Sequence, residues 1–297
     1  MNQSQYERTY KEECLEYNPL VSIITVVLNG IKYLEPCIES ILQQNYPHIE
    51  HILIDGGSTD GTLDVLSNYC SKYPKGIRYI SEPDKGTFDA ANKGIKMAKG
   101  VILGFIGSDD MYEPGAIQTV VEFFMANPDA HLVYGGCNLI NDKSELIGRN
   151  RVSASNLKPI NGGPPIGAGP ATFYKRELFE KIGLFDELAS DFDLAIRAGK
   201  TFQIYRIEKV LANLRCHKGS ITSGGTWQSR KRGLRDMYIV TRRHGGSIFS
   251  RYCMIYYAFV VIDWLRPVLG PIYPFVAKVT GKNIGEVKDD WGTRRKI

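Results

Sequence analysis

Short apolar runs and amphipathic stretches alternate along most of the chain. VSIITVVLN (21–29) is apolar almost throughout, the pattern of a strand buried on both faces. Leu34, Ile38, Ile41 and Leu42 then recur at helical spacing, and IEHILID (49–55) is a second strand closed by the turn-forming GGSTDG. Residues 62–69 form a second helix, IRYISE (77–82) and VILGFIG (101–107) two further strands, and residues 88–99 the helix between them. HLVYGGCNLI (131–140) is a fifth strand. Such alternation predicts an α/β fold with a mostly parallel, Rossmann-like sheet and helices on both faces.

Beyond residue 140 the alternation breaks. NGGPPIGAGP (161–170) reads as a loop or a set of turns. A strand (171–175), a short helix (176–182), a helix over 191–198 and an apolar run over 202–214 follow. With 297 residues, 43% of them hydrophobic, the chain buries a full core as one large domain with an appendage. Net charge divides it further. Residues 226–297 hold 14 Lys or Arg against 5 Asp or Glu, whereas the rest holds 23 against 27, so the basic character belongs to the tail. The six cysteines are scattered, and the polar N-terminus lacks the pattern of a secretory signal; both point to a reducing cytoplasm.

Ligands of open α/β sheets bind beyond the carboxyl ends of the strands. There the sequence places aspartates: Asp55 after the second strand, Asp84 after the third, Asp109 and Asp110 after the fourth. Each alone reads first as a turn or helix cap, and SDD (108–110) reads also as a cap for a helix beginning near Glu113 and Pro114. Together they repel one another unless a cation or a hydrogen-bonding ligand joins them. Carboxylates after an apolar strand suit Mg²⁺ or Mn²⁺, which favour carboxylate and phosphate oxygens. The first strand runs into LNGIKYLE, without a Gly-x-Gly-x-x-Gly, and no Walker lysine motif occurs, which argues against NAD and against ATP hydrolysis.

Four ordered segments, TVVLNG (25–30), LIDGGSTDGT (53–62), SEPDKGTFDAANKGI (81–95) and GSDDMYEPGAI (107–117), resemble the family 2 glycosyltransferases of GT-A fold, including bacterial non-processive enzymes of surface-polysaccharide synthesis. The resemblance covers about residues 20–220. It implies a catalytic domain over 20–225, with a nucleotide-binding half (20–110) and an acceptor-binding half (111–225), between an extension (1–19) and a basic, apolar helical region (226–297). It also implies a donor-nucleotide site of Val26, Asn29, Asp55, Asp84, Lys85, Asn92 and Asp109, with Asp55 at the base and Asp84 near base and ribose. A divalent ion, Mn²⁺ or Mg²⁺, would lie on Asp109 and Asp110, with His217 approaching the metal or diphosphate. Two positions depart from the pattern: Gly107 stands where many relatives have an acid, and Leu28 where some offer an aromatic ring.

Within SDFDLAIRAG (190–199), Asp191 matches the family's general base, which deprotonates the acceptor hydroxyl so that direct displacement inverts the anomeric centre. Without the resemblance Asp191 reads equally as a helix N-cap, and His217 as a packing or surface residue. The Gln-x-x-Arg-Trp motif of processive members is missing, so a single sugar is expected to pass from a nucleotide-sugar, a UDP-sugar first, to a glycan or lipid-linked saccharide. A non-catalytic nucleotide-sugar or glycan-binding protein of this fold, and a sugar nucleotidyltransferase, are the competing readings; the latter usually carries a Gly-rich basic loop where this chain has LNGIKYLE.

The most apolar run (252–265) contains Asp263, stops at Arg266-Pro267 and falls short of the roughly 20 residues a membrane span needs. Basic residues precede it, from Arg230 to Arg251, and Trp264 and Tyr273 are interfacial residue types. Two readings of residues 230–275 stay open: peripheral attachment to anionic lipid on the inner face of a plasma membrane, or a helix packed on the catalytic domain or on a second subunit as a homodimer contact. Nucleic acid is not an expected partner, because no reading motif accompanies the charge.

Overall fold

β1 (Val21–Val27) is the axis of the molecule, parallel to β2 (Ile49–Asp55) on one side. α1 (Ile31–Leu42) and α2 (Thr62–Lys72) precede β3 (Ile77–Ser81), which pairs in parallel with β2; α3 (Thr87–Met97) leads to β4 (Ile102–Gly107), parallel to β1. The chain continues through the two-residue β5 (Met111–Tyr112), α4 (Ala116–Ala126), β6 (Leu132–Ile140) and β7 (Leu146–Asn150). β8 (Thr172–Lys175), α5 (Arg176–Ile182), α6 (Ser190–Thr201) and β9 (Ile204–Arg215) follow. Last come α7 (Trp227–Arg243), α8 (Arg251–Leu269) and a small ribbon of β10 (Glu286–Lys288) and β11 (Arg294–Lys296).

This computed structural model describes residues 18–150, 169–186, 188, 190–217, 220, 227–269, 286–288 and 294–296. Most of the expected N-terminal extension (1–17), residues 161–168 of the Gly/Pro-rich stretch, and Tyr273 lie outside the described residues. So do the side chains of 227–230, Arg251, Asp263 and 266–269.

The main sheet has nine strands in the order β3-β2-β1-β4-β8-β6-β9-β5, with β7 paired to β6. Its first four strands are parallel, as the apolar runs predict. Beyond β4 the sheet is mixed: β8 runs antiparallel to both β4 and β6, and β9 runs parallel to β6. Successive residues of the parallel strands feed opposite cores, because a strand's side chains alternate in direction. Ile23 packs with Cys37 and Ile41 of α1 and with Val120 and Phe124 of α4. Ile24, Ile52 and Ile54 pack on the other face with Ala90 and Ala91 of α3, Phe179 of α5 and Leu194 of α6.

One expectation changes, and one run gains its element. The helix foreseen near Glu113 begins at Ala116 with Gly115 as its N-cap, so Ser108, Asp109 and Asp110 do not cap it. The run over 202–214 is the 12-residue strand β9, whose pairing with β6 brings chain from beyond residue 204 into the centre of the second half.

Register sets the functional edge. Val27 is opposite Asp55, Val26 opposite Gly107, and Asp55 opposite Ser81, so the four parallel strands end in line and their following loops share one rim. Phe192 and Ile196 of α6 form a separate cluster with Val240 of α7 and Tyr252 of α8. Tyr238 of α7 stacks on Tyr256 of α8 with ring centroids 5.0 Å apart. The C-terminal pair is thus anchored on α6. Among the described residues no helix is long and apolar enough to cross a membrane.

Candidate active site

The loop after β2 is built by a buried carboxylate. Asp55 is fully buried, and its Oδ2 accepts from the amides of Gly57 and Ser58, each at 3.0 Å, and from Ser81 Oγ at 2.6 Å. Ser58 Oγ donates to Oδ1. Burial alone would push this carboxyl up, but the bonds from Ser58, Ser81 and the two amides outweigh it and hold it below its ordinary value. The same loop caps α1. Amides at the start of a helix lack partners within it. Here Asn29 N–H donates to Ser58 Oγ (2.7 Å), Gly30 N–H to Thr62 Oγ1 (3.0 Å) and Ile31 N–H to Asp60 Oδ2 (3.2 Å). Asn29, in the left-handed region at φ 51°, returns the contact by accepting from Thr59 N–H at 2.9 Å.

Along the rim lies a cavity of about 630 Å³, lined among others by Val26, Leu28, Asn29, Lys32, Tyr33, Asp84, Ser108, Asp109, Asp110 and His217. Asp84 enters from the loop after β3, fixed by the Gly86 amide at 2.8 Å. Gly56 permits this approach, since a Cβ there would lie 2.5 Å from Asp84 Oδ2. Three residues expected at the nucleotide are not in the lining. Asp55 lies beneath the loop. Lys85 is exposed, its amide donating to Asp89. Asn92 is engaged elsewhere: its carboxamide donates to Phe185 O (3.0 Å) and accepts from Phe185 N–H (3.1 Å), clamping α3 to the segment before α6.

At the other end of the cavity the two adjacent aspartates diverge. Asp109 turns outward and meets His217 Nε2 at 2.9 Å. Asp110 is buried; its Oδ1 accepts the Arg215 amide at 2.8 Å, and burial, reinforced by the neighbouring Asp109 charge, pushes its carboxyl well above the usual range. A Cβ on Gly107 would fall 2.7 Å from Asp109 Oδ1 and 3.3 Å from Asp110 Oδ2. Any side chain at that position would require the Asp109 carboxylate to move. Among the described residues no three His, Cys, Asp or Glu side chains form a group able to hold a metal by themselves.

Arg215, which the sequence did not single out, organises this end. Although 1% exposed, its guanidinium donates to Asp109 O (2.9 Å), Asn141 O (2.8 Å) and Ser144 Oγ (3.0 Å), and lies 4.5 Å from the ring centroid of Tyr33. Tyr33 in turn donates to Asp142 and lies 5.0 Å, ring to ring, from His217. The available signal was an arginine closing an apolar strand (LANLR) two positions before His217.

Asp191 stands in the first turn of α6, with Oδ1 accepting the Phe192 amide at 2.8 Å. It does not line the cavity described above. Solvent reaches the residue, yet the protein packed around it desolvates the carboxyl and holds it above its ordinary value. Asp193, two positions on, is committed to structure. It is buried between Arg197 Nε (2.6 Å) and His244 Nε2 (2.8 Å), tying α6 to the end of α7.

Comparison with known proteins agrees with this architecture. A mannosyltransferase from Pyrobaculum calidifontis, solved in complex with GDP-Man and Mn²⁺, superposes with a TM-score of 0.62 at 20% identity, covering 94% of this chain and 83% of that one. Residues 1–349 of S. aureus TarS, in complex with UDP, give 0.58 at 18% identity, over 74% of this chain and 65% of that one. The fold is therefore GT-A. In sequence, an uncharacterized glycosyltransferase of Rickettsia prowazekii is 34% identical over 219 residues, 70% of this chain and 67% of that protein. A PGL/p-HBAD biosynthesis glycosyltransferase of Mycobacterium bovis is 32% identical over 183 residues, 60% of this chain and 69% of that protein. Residues 22–183, over half of the chain, match Glycosyl transferase family 2, and the chain belongs to that family of glycosyltransferases.

Proposed function

We propose that the enzyme moves one sugar, with inversion, from a nucleotide-diphosphate sugar to a glycan or lipid-linked saccharide in bacterial surface-polysaccharide synthesis. The observation that carries this reading is one continuous cavity on the strand rim with Asp84 at one end and the Asp109–His217 pair at the other. That spacing of polar groups along one groove suits a ligand with a ribose at one end and a diphosphate at the other. A UDP-sugar is the first donor to test, since TarS was solved with UDP, and GDP-Man the second, after the Pyrobaculum enzyme.

A carboxylate and an imidazole facing open space fit a divalent ion whose remaining ligands are diphosphate oxygens and water. Asp109 and His217 would hold Mn²⁺ or Mg²⁺, with Asp110 behind them, and the ion supplies neutralisation of the charge on the departing diphosphate. Asp191 takes the proton of the acceptor hydroxyl. The freed oxygen attacks the anomeric carbon from the side opposite the nucleotide diphosphate, which leaves with the bonding electrons, and the centre inverts. A carboxyl held above its ordinary value is a stronger base when ionised, which suits this role.

The test is a melting-temperature screen of UDP-, GDP- and dTDP-sugars with and without Mn²⁺, followed by assay of transfer. One donor should stabilise by about 2.7 kcal/mol at a hundredfold excess over its Kd, and chelation should remove most of that gain. Silence from every donor would overturn the donor site. Stabilisation with neither transfer nor donor hydrolysis would instead favour a binding protein of the same fold.

A further inference from the structure

Among the described residues, much of the outer side of α8 is open to solvent. Tyr252 and Cys253 are buried where α8 meets the body, but Met254, Val261 and Trp264 fall at spacings of seven and three residues and so share another side of the helix. Met254 is 50% exposed, Val261 53% and Trp264 76%. Phe249, in the turn joining α7 to α8, is 77% exposed. A stripe of large apolar side chains left open to water marks an interaction surface.

Charge indicates which partner it fits. Arg232, Arg235 and Arg242 are exposed on α7 and repeat at helical spacing, while Met237, Val240 and Thr241 turn toward the body. Tyr257 of α8 donates to Tyr238 of α7 at 3.5 Å, so the cationic helix lies directly beside the apolar one. A second copy meeting α8 face to face would bring like cationic stripes together. An anionic surface complements them.

We propose that α7 and α8 together form a docking surface for an anionic lipid bilayer, with α8 lying in the headgroup region and the arginines of α7 on the lipid phosphates. Apolar side chains on one helix with flanking cations are the composition of an interfacial helix, and an exposed tryptophan suits the membrane–water boundary. This inference stands whether or not the donor reading holds, because no residue of the cavity takes part.

The test uses the full chain and sedimentation with vesicles of phosphatidylcholine alone or mixed with phosphatidylglycerol. The protein should sediment with the mixed vesicles and stay in solution with phosphatidylcholine alone, and added salt should weaken the binding. Arg232→Gln with Arg235→Gln should lower partitioning roughly 25-fold, about fivefold per charge. Val261→Ser with Trp264→Ser should abolish binding while leaving the melting temperature unchanged, since both side chains are exposed. Failure to sediment with the mixed vesicles, equal binding to both kinds, or full binding by the Val261/Trp264 variant would overturn the proposal. So would a dimer mass in light scattering that this variant converts to a monomer.

Discussion

The two halves of the strand rim hold their carboxylates by different means. In the parallel half the contacts are mostly local: Asp55 is held by Gly57 and Ser58, and Asp84 by Gly86. In the mixed half Asp110 is held by Arg215, 105 positions away, and Asp109 meets His217 at a separation of 108. The first arrangement forms wherever a short loop can close. The second exists only once β9 has joined β6, so one end of the cavity depends on the topology of the whole sheet.

The largest expected effect tests the mixed half at its catalytic point. Asp191→Asn should leave donor-induced stabilisation intact and lower turnover by about 10²–10⁴-fold, the usual contribution of a positioned general base. In the wild type, activity should fall as pH drops through the Asp191 value, which lies above the ordinary aspartate range because the carboxyl is desolvated. Wild-type turnover by the Asn variant would remove Asp191 from the mechanism.

Arg215→Ala comes next. It should destabilise by about 3–5 kcal/mol, since it empties a buried site and leaves the Asp109 and Asn141 carbonyls and Ser144 Oγ without their donor, and should weaken donor binding because Asp109 loses its backbone support. Ser58→Ala should cost about 2 kcal/mol, since it removes one charge-assisted bond to Asp55 and the acceptor for the Asn29 amide. Denaturant titration of the two variants side by side is decisive. If Arg215→Ala cost no more than Ser58→Ala, distal closure would not be what secures the mixed half.

The smallest effect concerns pH in the parallel half. Asp55 has a folded-state value below its unfolded one of about 3.9. Its contribution is therefore full above that value and is lost as pH falls through the folded value. The melting-temperature gap between wild type and Asp55→Asn should be constant from pH 8 to pH 5 and close below pH 4. A gap unchanged in acid would mean that the carboxylate is not what organises the loop.

This contrast also explains what could be read from the sequence. β1, β2 and β4 were legible because burial on both faces makes a strand apolar throughout, and GGSTDG was legible as a turn from its glycines. β9 was legible only as an apolar run, without its pairing to β6, because IYRIEKVLANLR mixes charged and apolar residues in a strand only partly buried. Arg215 was hidden for a related reason: arginine is ordinarily a surface residue, and nothing local shows that its guanidinium will be enclosed by segments near 109 and 141. Asn92 and Asp55 show the converse. Both sit inside the family-like segments, yet side-chain contacts that no linear motif records commit one to Phe185 and the other to its own loop.

The capping of α1 by the loop after β2 has a consequence in time. Amides opening a helix are ordinarily among the first to exchange their hydrogens with solvent, since fraying there costs little. Those of Asn29, Gly30 and Ile31 are instead bonded to Ser58, Thr62 and Asp60, so they can open only when two separate segments part together. In deuterated water this corner should stay protonated long after the exposed residues 247–248. The wall it gives the cavity, including Lys32 and Tyr33 on the same first turn, is then a fixed template against which an incoming molecule must adjust.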